Sequence, residues 1–96
     1  MKFAHRSEKV FAEHLDLFNI EWIYEPKSFP LKWGSGAIKM MFTPDFYLPE
    51  MNIYIEITTM DQKLITKKQR KIKLARKLYP MSCLLYTSDA ADDGVG

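Results

Sequence analysis

The sequence predicts one mixed α/β domain, a β-sheet core flanked by helices in the order α-β-β-β-α. Three observations predict it. Apolar residues recur at helical spacing near both ends of the chain, at Phe11, Leu15 and Phe18 and again at Ile72, Ala75 and Tyr79. Between them the apolar residues alternate with polar ones, most clearly in residues 53–58. Ninety-six residues with 47% hydrophobic content suffice for one modest core and no second domain.

The first helix is predicted over residues 7–18, with Ser7 as N-cap and Asn19 as the stop. Val10, His14 and Leu17 widen its apolar stripe. Residues 20–25 are strand-like, Ile20, Trp22 and Tyr24 alternating with Glu21, Ile23 and Glu25. Pro26 and Pro30 limit pairing nearby, so 28–33 reads as an edge or irregular strand. Gly34-Ser35-Gly36 is a turn. The second strand, 37–43, runs into Pro44-Asp45, and after a turn at 49–52 the third strand covers 53–58. Thr66 is predicted to cap a closing helix that reaches Tyr79, where Pro80 ends it.

Composition removes several function classes. A single cysteine, Cys83, excludes an intramolecular disulfide, and with only His5 and His14 beside it no zinc-ligand spacing exists. No apolar run reaches membrane-spanning length, and the N-terminus lacks the apolar stretch of a signal peptide. The chain is therefore read as cytoplasmic. Eight of the fourteen basic residues fall between Lys63 and Lys77, a density that points to a polyanionic partner or, more plainly, to a solvated helix face.

Residues 83–96, CLLYTSDAADDGVG, break with the style of the rest: small, acidic and ending in glycine. They are similar to translated sequencing-adapter read-through. The domain is thus expected to occupy residues 1–82, truncated at its C-terminus, with 83–96 a non-native tail without function. The other reading of these residues is a final strand at 84–87 before an acidic end. Without them the formal charge rises from +2 to +5, fourteen basic residues against nine acidic.

The chemistry concentrates in residues 42–59, FTPDFYLPEMNIYIEITT. Alternation puts Ile53, Ile55 and Ile57 on one face of the third strand and Tyr54, Glu56 and Thr58 on the other. A hairpin centred between Glu50 and Met51 sets Tyr47 opposite Tyr54 and Asp45 opposite Glu56. Taken singly, Asp45 could start a turn and Glu56 could face solvent. Directly opposed like charges destabilise a sheet, so either one acid is protonated or a cation sits between them. Mg²⁺ fits, since it takes few carboxylates and fills its remaining positions with water and phosphate; the Ile57 carbonyl is a further candidate ligand. Glu8 joins them from the packing face of the first helix, three residues before Phe11 and seven before Leu15. Its plainer role is to complement the helix dipole.

SEKVFAEHL, then PDFYLP, then YIEITT, then the basic helix, together resemble the PD-(D/E)xK nuclease superfamily over residues 3–80. The variant with ExTT looks like one found in small bacterial proteins. The resemblance implies a restriction-endonuclease-like core and phosphodiester hydrolysis dependent on Mg²⁺ or Mn²⁺. Carried over by position, Asp45 and Glu56 are metal ligands, with Ile57 offering its carbonyl, and Glu8 matches the first-helix glutamate that helps hold the metal. The family's lysine belongs two residues after Glu56, where this chain has Thr58. That lysine can migrate to a neighbouring element, which makes Lys63 and Lys67 the candidates ahead of Lys68. Gln62 is placed to orient a water or a phosphate. The basic helix, with Lys67, Lys68, Arg70, Lys71, Lys73, Arg76 and Lys77, would neutralise the phosphates of a nucleic acid, DNA foremost. A homodimer is compatible with the family.

The substitution at Thr58 supports an alternative: a catalytically degenerate nucleic-acid-binding or regulatory domain on the same fold. Such a domain would form the N-terminal part of a longer protein carrying a hypoxanthine phosphoribosyltransferase domain, although no phosphoribosyl-pyrophosphate loop occurs here. A third reading makes Trp22, Trp33, Phe46 and Tyr47 exposed anchors for a protein partner; core and sheet packing is the preferred role for all four.

Overall fold

The computed structural model describes residues 2–88, which form α1 (Arg6–Leu17), β1 (Ile23–Tyr24), β2 (Phe29–Gly34), β3 (Ala37–Phe42), β4 (Phe46–Leu48), β5 (Ile53–Thr58), α2 (Gln62–Leu78) and β6 (Cys83–Thr87). A four-stranded sheet runs in the order β1-β4-β5-β6, and β2 pairs with β3 in a separate two-stranded ribbon. The larger sheet is mixed: β1, β4 and β5 pair antiparallel, while β6 lies parallel to β5. The architecture is α/β, as expected, but the element order is richer than α-β-β-β-α.

Each difference has a physical cause. Helix α1 starts without a side-chain cap at His5, and Ser7 lies buried inside its first turn. Asn19 does stop it: its φ is 58°, its N–H donates to Asp16 O, and the Ile20 N–H donates to Leu15 O. This pair of bonds is a Schellman ending, with asparagine tolerating the left-handed conformation. The expected strand at 20–25 shrinks to Ile23–Tyr24. The Trp22 indole N–H donates to Asp16 Oδ1, tying that stretch to α1, and Glu25 turns away at φ 45°.

The expected second strand is two strands in two sheets. Residues 37–42 pair with β2, whereas 46–48 pair with β5. The break falls at Pro44, fully buried and without an N–H to offer either ladder. Helix α2 begins at Gln62 and is capped by Asp61, whose carboxylate accepts from the N–H groups of Lys63 and Leu64 at 2.8 and 3.4 Å. Thr66 therefore sits inside the helix, not at its cap. Aspartate is the stronger cap, worth about 1 kcal/mol over alanine. Strand β6 occupies the first five residues of the segment whose style differs. The tail's acids Asp89, Asp92 and Asp93 lie outside the described residues.

Strand β5 is buried on both faces. Ala12 and Leu15 of α1 cover Phe46, Leu48, Ile55 and Ile57 on one side. On the other, Ile72 and Ala75 of α2 pack with Phe29, Leu31, Phe42 and Cys83. Phe46 is the centre of the first cluster, wholly buried, with the rings of Phe3, Phe11, Trp22 and Tyr24 at centroid distances of 6.1, 5.3, 5.5 and 5.5 Å. Tyr47 stacks against Tyr54 across the ladder at 4.7 Å. Of the four candidate anchor aromatics, only Trp33 stands largely exposed. Among the described residues no helix is long and apolar enough to cross a membrane.

Candidate active site

The β4–β5 hairpin pairs Tyr47 with Tyr54 and Phe46 with Ile55, the register derived from a turn centred between Glu50 and Met51. Phe46 and Ile55 point toward α1, so alternation turns Asp45 and Glu56 toward α2. Asp45 is held from two sides. Its backbone carbonyl accepts from the Glu25 N–H at 2.8 Å, and its Oδ2 accepts from the Ile57 N–H at 2.7 Å. Asp45 and Glu56 are only 9% and 8% exposed.

The cation facing this pair is Lys68. Its ammonium donates to the Ile57 carbonyl at 2.6 Å and lies 3.5 Å from Glu56 Oε2. Among the described residues, Glu56 Oε1 and the Thr58 hydroxyl oxygen are buried with no hydrogen-bond partner. Orphaned polar atoms of this kind are costly inside a fold, of order 1–3 kcal/mol each, unless a ligand satisfies them. Burial pushes the Asp45 carboxyl up to about 8, and the nearby charge of Glu56 adds to the rise; the Ile57 N–H and Lys68 oppose it. Burial also raises Glu56 above the ordinary carboxylate range, with Lys68 and the neighbouring Asp45 carboxyl, as a hydrogen-bond partner when protonated, pulling it back.

Glu8 reaches the same region from the first turn of α1. It is 5% exposed, and its Oε1 accepts from the Tyr24 hydroxyl at 2.6 Å and from the Ala4 N–H at 3.1 Å. Its charge contributes to the raised Asp45 carboxyl. A cleft of about 200 Å³ opens between α1 and α2, lined by His5, Ser7 and Glu8 on one side, Ile57 and Thr58 below, and Lys68 opposite.

Comparison with family models, with curated proteins and with solved structures finds no match for this chain. Its chemistry therefore has to be read from its own residues. Among the described residues no three His, Cys, Asp or Glu side chains group closely enough to form a metal cage. The donor set is narrower: the carboxylates of Asp45 and Glu56 and the carbonyl of Ile57, with Glu8 behind them engaged by Tyr24. Two carboxylates with oxygens supplied by water and substrate suit Mg²⁺, which rarely takes an all-protein cage. The unpartnered Glu56 Oε1 fits that use.

The structure sorts the lysines differently from the sequence. Lys63 and Lys67 line a surface groove with Gln62, Thr66 and Arg70, while Lys68 stands at the acids. The signal is in the sequence: Lys68 precedes Ile72 by four and Ala75 by seven, so it shares the buried stripe of α2. Of the remaining basic residues, Lys71 donates to the Met41 carbonyl and Arg76 to the Cys83 carbonyl, while Lys73 and Lys77 are exposed. Cys83 itself is buried, which pushes its thiol up to about 12 and leaves it unreactive.

Proposed function

We propose that the chain is a nuclease domain of the PD-(D/E)xK type on a restriction-endonuclease-like core, hydrolysing nucleic-acid phosphodiesters, DNA foremost, with Mg²⁺ or Mn²⁺. The observation that carries this reading is the buried Asp45–Glu56 pair with an orphaned carboxylate oxygen, faced by one lysine. Asp45 and Glu56 would hold the metal, with the Ile57 carbonyl as a third oxygen. Held there, a divalent cation would polarise the scissile phosphate and lower the pKa of a coordinated water.

The chain's own groups supply the rest. Asp45 must give up its proton to bind a cation, and the Ile57 N–H keeps its carboxylate oriented as it does so. Lys68 takes the part left vacant by Thr58: from the facing helix its ammonium can stabilise negative charge developing on the phosphate. Glu8, held by Tyr24, keeps negative potential on the far wall. The basic residues of α2 neutralise neighbouring phosphates, which makes binding strongly salt-dependent. Incubation of plasmid or single-stranded DNA with the protein and Mg²⁺ or Mn²⁺ tests the reading. Cleavage is expected, with loss of at least two orders of magnitude in Asp45→Ala. Equal activity in that variant, or in EDTA, overturns it.

A second reading has its own observation. Lys68 already supplies a positive charge to Glu56 and occupies the Ile57 carbonyl, so the acids can be satisfied without a metal. This describes a non-catalytic nucleic-acid-binding domain. Lys68→Met separates the two. In both readings it orphans Glu56 and costs about 1–3 kcal/mol of stability at neutral pH. In the nuclease reading Mg²⁺ restores that stability, since the freed acid and carbonyl then bind the cation alone. Thermal melts with and without Mg²⁺ read the difference, and a variant indifferent to Mg²⁺ favours the non-catalytic domain.

A further inference from the structure

Charge is sorted along this chain. Residues 26–44 and 62–82 hold eleven of the fourteen lysines and arginines and none of the twelve acids. The fold brings these two segments together. The first contains the β2–β3 ribbon and the second contains α2, and they are fastened by Lys71 Nζ donating to Met41 O at 3.1 Å and the Tyr79 hydroxyl donating to Pro30 O at 2.7 Å. Between them runs a groove of about 260 Å³. Lys32 and Met40 form its ribbon wall; Lys67, Arg70, Lys71 and Leu74 form its helix wall. Neither segment provides a carboxylate to neutralise these four cations.

The ribbon extends past the groove. Its tip is a tight turn with Ser35 at φ 51° and Gly36 at φ 76°, both in the left-handed region that such hairpin turns require. The register shifts between Lys32 and Trp33, so the usual alternation fails and both neighbouring side chains are exposed. Trp33 is 59% exposed and sits opposite Ile38, also exposed. Lys39 lies on the other face of the ribbon, its Cε 3.2 Å from where a Cβ on Gly34 would be, whereas Lys32, opposite Met40, shares the face of Trp33 and Ile38. A large exposed indole next to Lys32 and the basic groove, with no acid within the ribbon, is the composition that stacks on a base while cations hold the backbone.

We propose that the β2–β3 ribbon is a second arm of the nucleic-acid surface, gripping a single-stranded segment, with Lys32 on a phosphate and Trp33 stacked against an unpaired base. The proposal rests on α2 being a nucleic-acid surface; it does not depend on cleavage. An acidic peptide would satisfy the lysines but would have no use for the indole, which is why a nucleic-acid strand is the occupant the surface favours.

The test is fluorescence anisotropy of a labelled single-stranded DNA oligonucleotide in EDTA, so that cleavage plays no part. Trp33→Ala is expected to weaken binding about ten-fold. Lys32→Gln is expected to lower the slope of log K against log salt by about 0.7, the value for one phosphate no longer neutralised. Both positions are exposed, and circular dichroism checks that the variants fold. In a Trp22→Phe background, emission from Trp33 should be quenched on adding the oligonucleotide. The inference is overturned if both ribbon variants bind as wild type with the same slope while Lys67→Gln and Arg70→Gln weaken binding; α2 then remains the surface alone. It also falls if polyglutamate displaces the oligonucleotide equally well and Trp33→Ala is neutral. A wild-type protein that binds no nucleic acid at low salt removes the nucleic-acid reading itself.

Discussion

Asp45→Asn is expected to stabilise the metal-free protein at pH 8 while abolishing its response to Mg²⁺ and any cleavage. The first half follows from proton linkage. In the fold the Asp45 carboxyl is raised to about 8 from its ordinary 3.8. Between those pH values the native chain holds a proton that the unfolded chain has lost. Stability therefore falls as pH rises from about 4 to about 8 and levels off above. Asparagine cannot ionise, yet its side-chain oxygen can still accept from the Ile57 N–H. The variant should escape this decline, gaining on the order of a few kcal/mol over wild type at pH 8 in EDTA. Glu56, also raised, leaves a slope of the same sign in both proteins. Mg²⁺ should return about 2.7 kcal/mol to wild type at a hundred times its dissociation constant and nothing to the variant. Thermal melts across pH decide it. A wild-type protein that gains stability between pH 4 and 8, as ordinary paired carboxylates do, removes the electrostatic basis of the site.

Phe46→Ala should have the largest effect on folding. Its ring is wholly buried among four other aromatic rings, and it packs α1 onto β4 and β5 together. Removing a buried phenylalanine side chain costs about 3–5 kcal/mol, against a typical total of about 5–15 for a domain. Urea denaturation should show a midpoint shifted far down at an unchanged slope. Phe46→Leu, which fills more of the space, should lose clearly less. Since Asp45 is the next residue back, this ring also sets where the carboxylate stands. A loss under 1 kcal/mol in the alanine variant would mean that the aromatic cluster does not hold the sheet to α1.

The pairing of Asp45 with Glu56 is legible in the sequence because it needs only the period of a strand and the centre of a turn. Both are local, and Tyr47 and Tyr54 meet as that arithmetic requires. Glu8 is legible for a similar reason, as an acid on a helix's packing face. Features that cannot be read locally depend on contacts between distant segments. The shortening of β1 follows from Trp22 bonding back to Asp16 and from Glu25 meeting Asp45. The change of sheet at Pro44 depends on β3 finding β2 while β4 finds β5. Lys68 is hidden by the helix start: a cap at Thr66 leaves residue 68 in the first turn. The true cap at Asp61 makes it fully helical and puts it on the stripe with Ile72 and Ala75. In the sequence Trp33 is one of four similar aromatics; only the ribbon's register irregularity sets it apart.

Asp45, Glu56 and Lys68 belong to one uninterrupted run of chain, β4–β5–α2, with a single turn and a short connection between its parts. In the proposed nuclease the acids and their lysine would thus be inherited as a cassette. Insertions at the tip of the ribbon could alter what is delivered to the acids without shifting the acids relative to their lysine. Divergence in such a chain would be expected to leave this run alone and to rewrite its periphery.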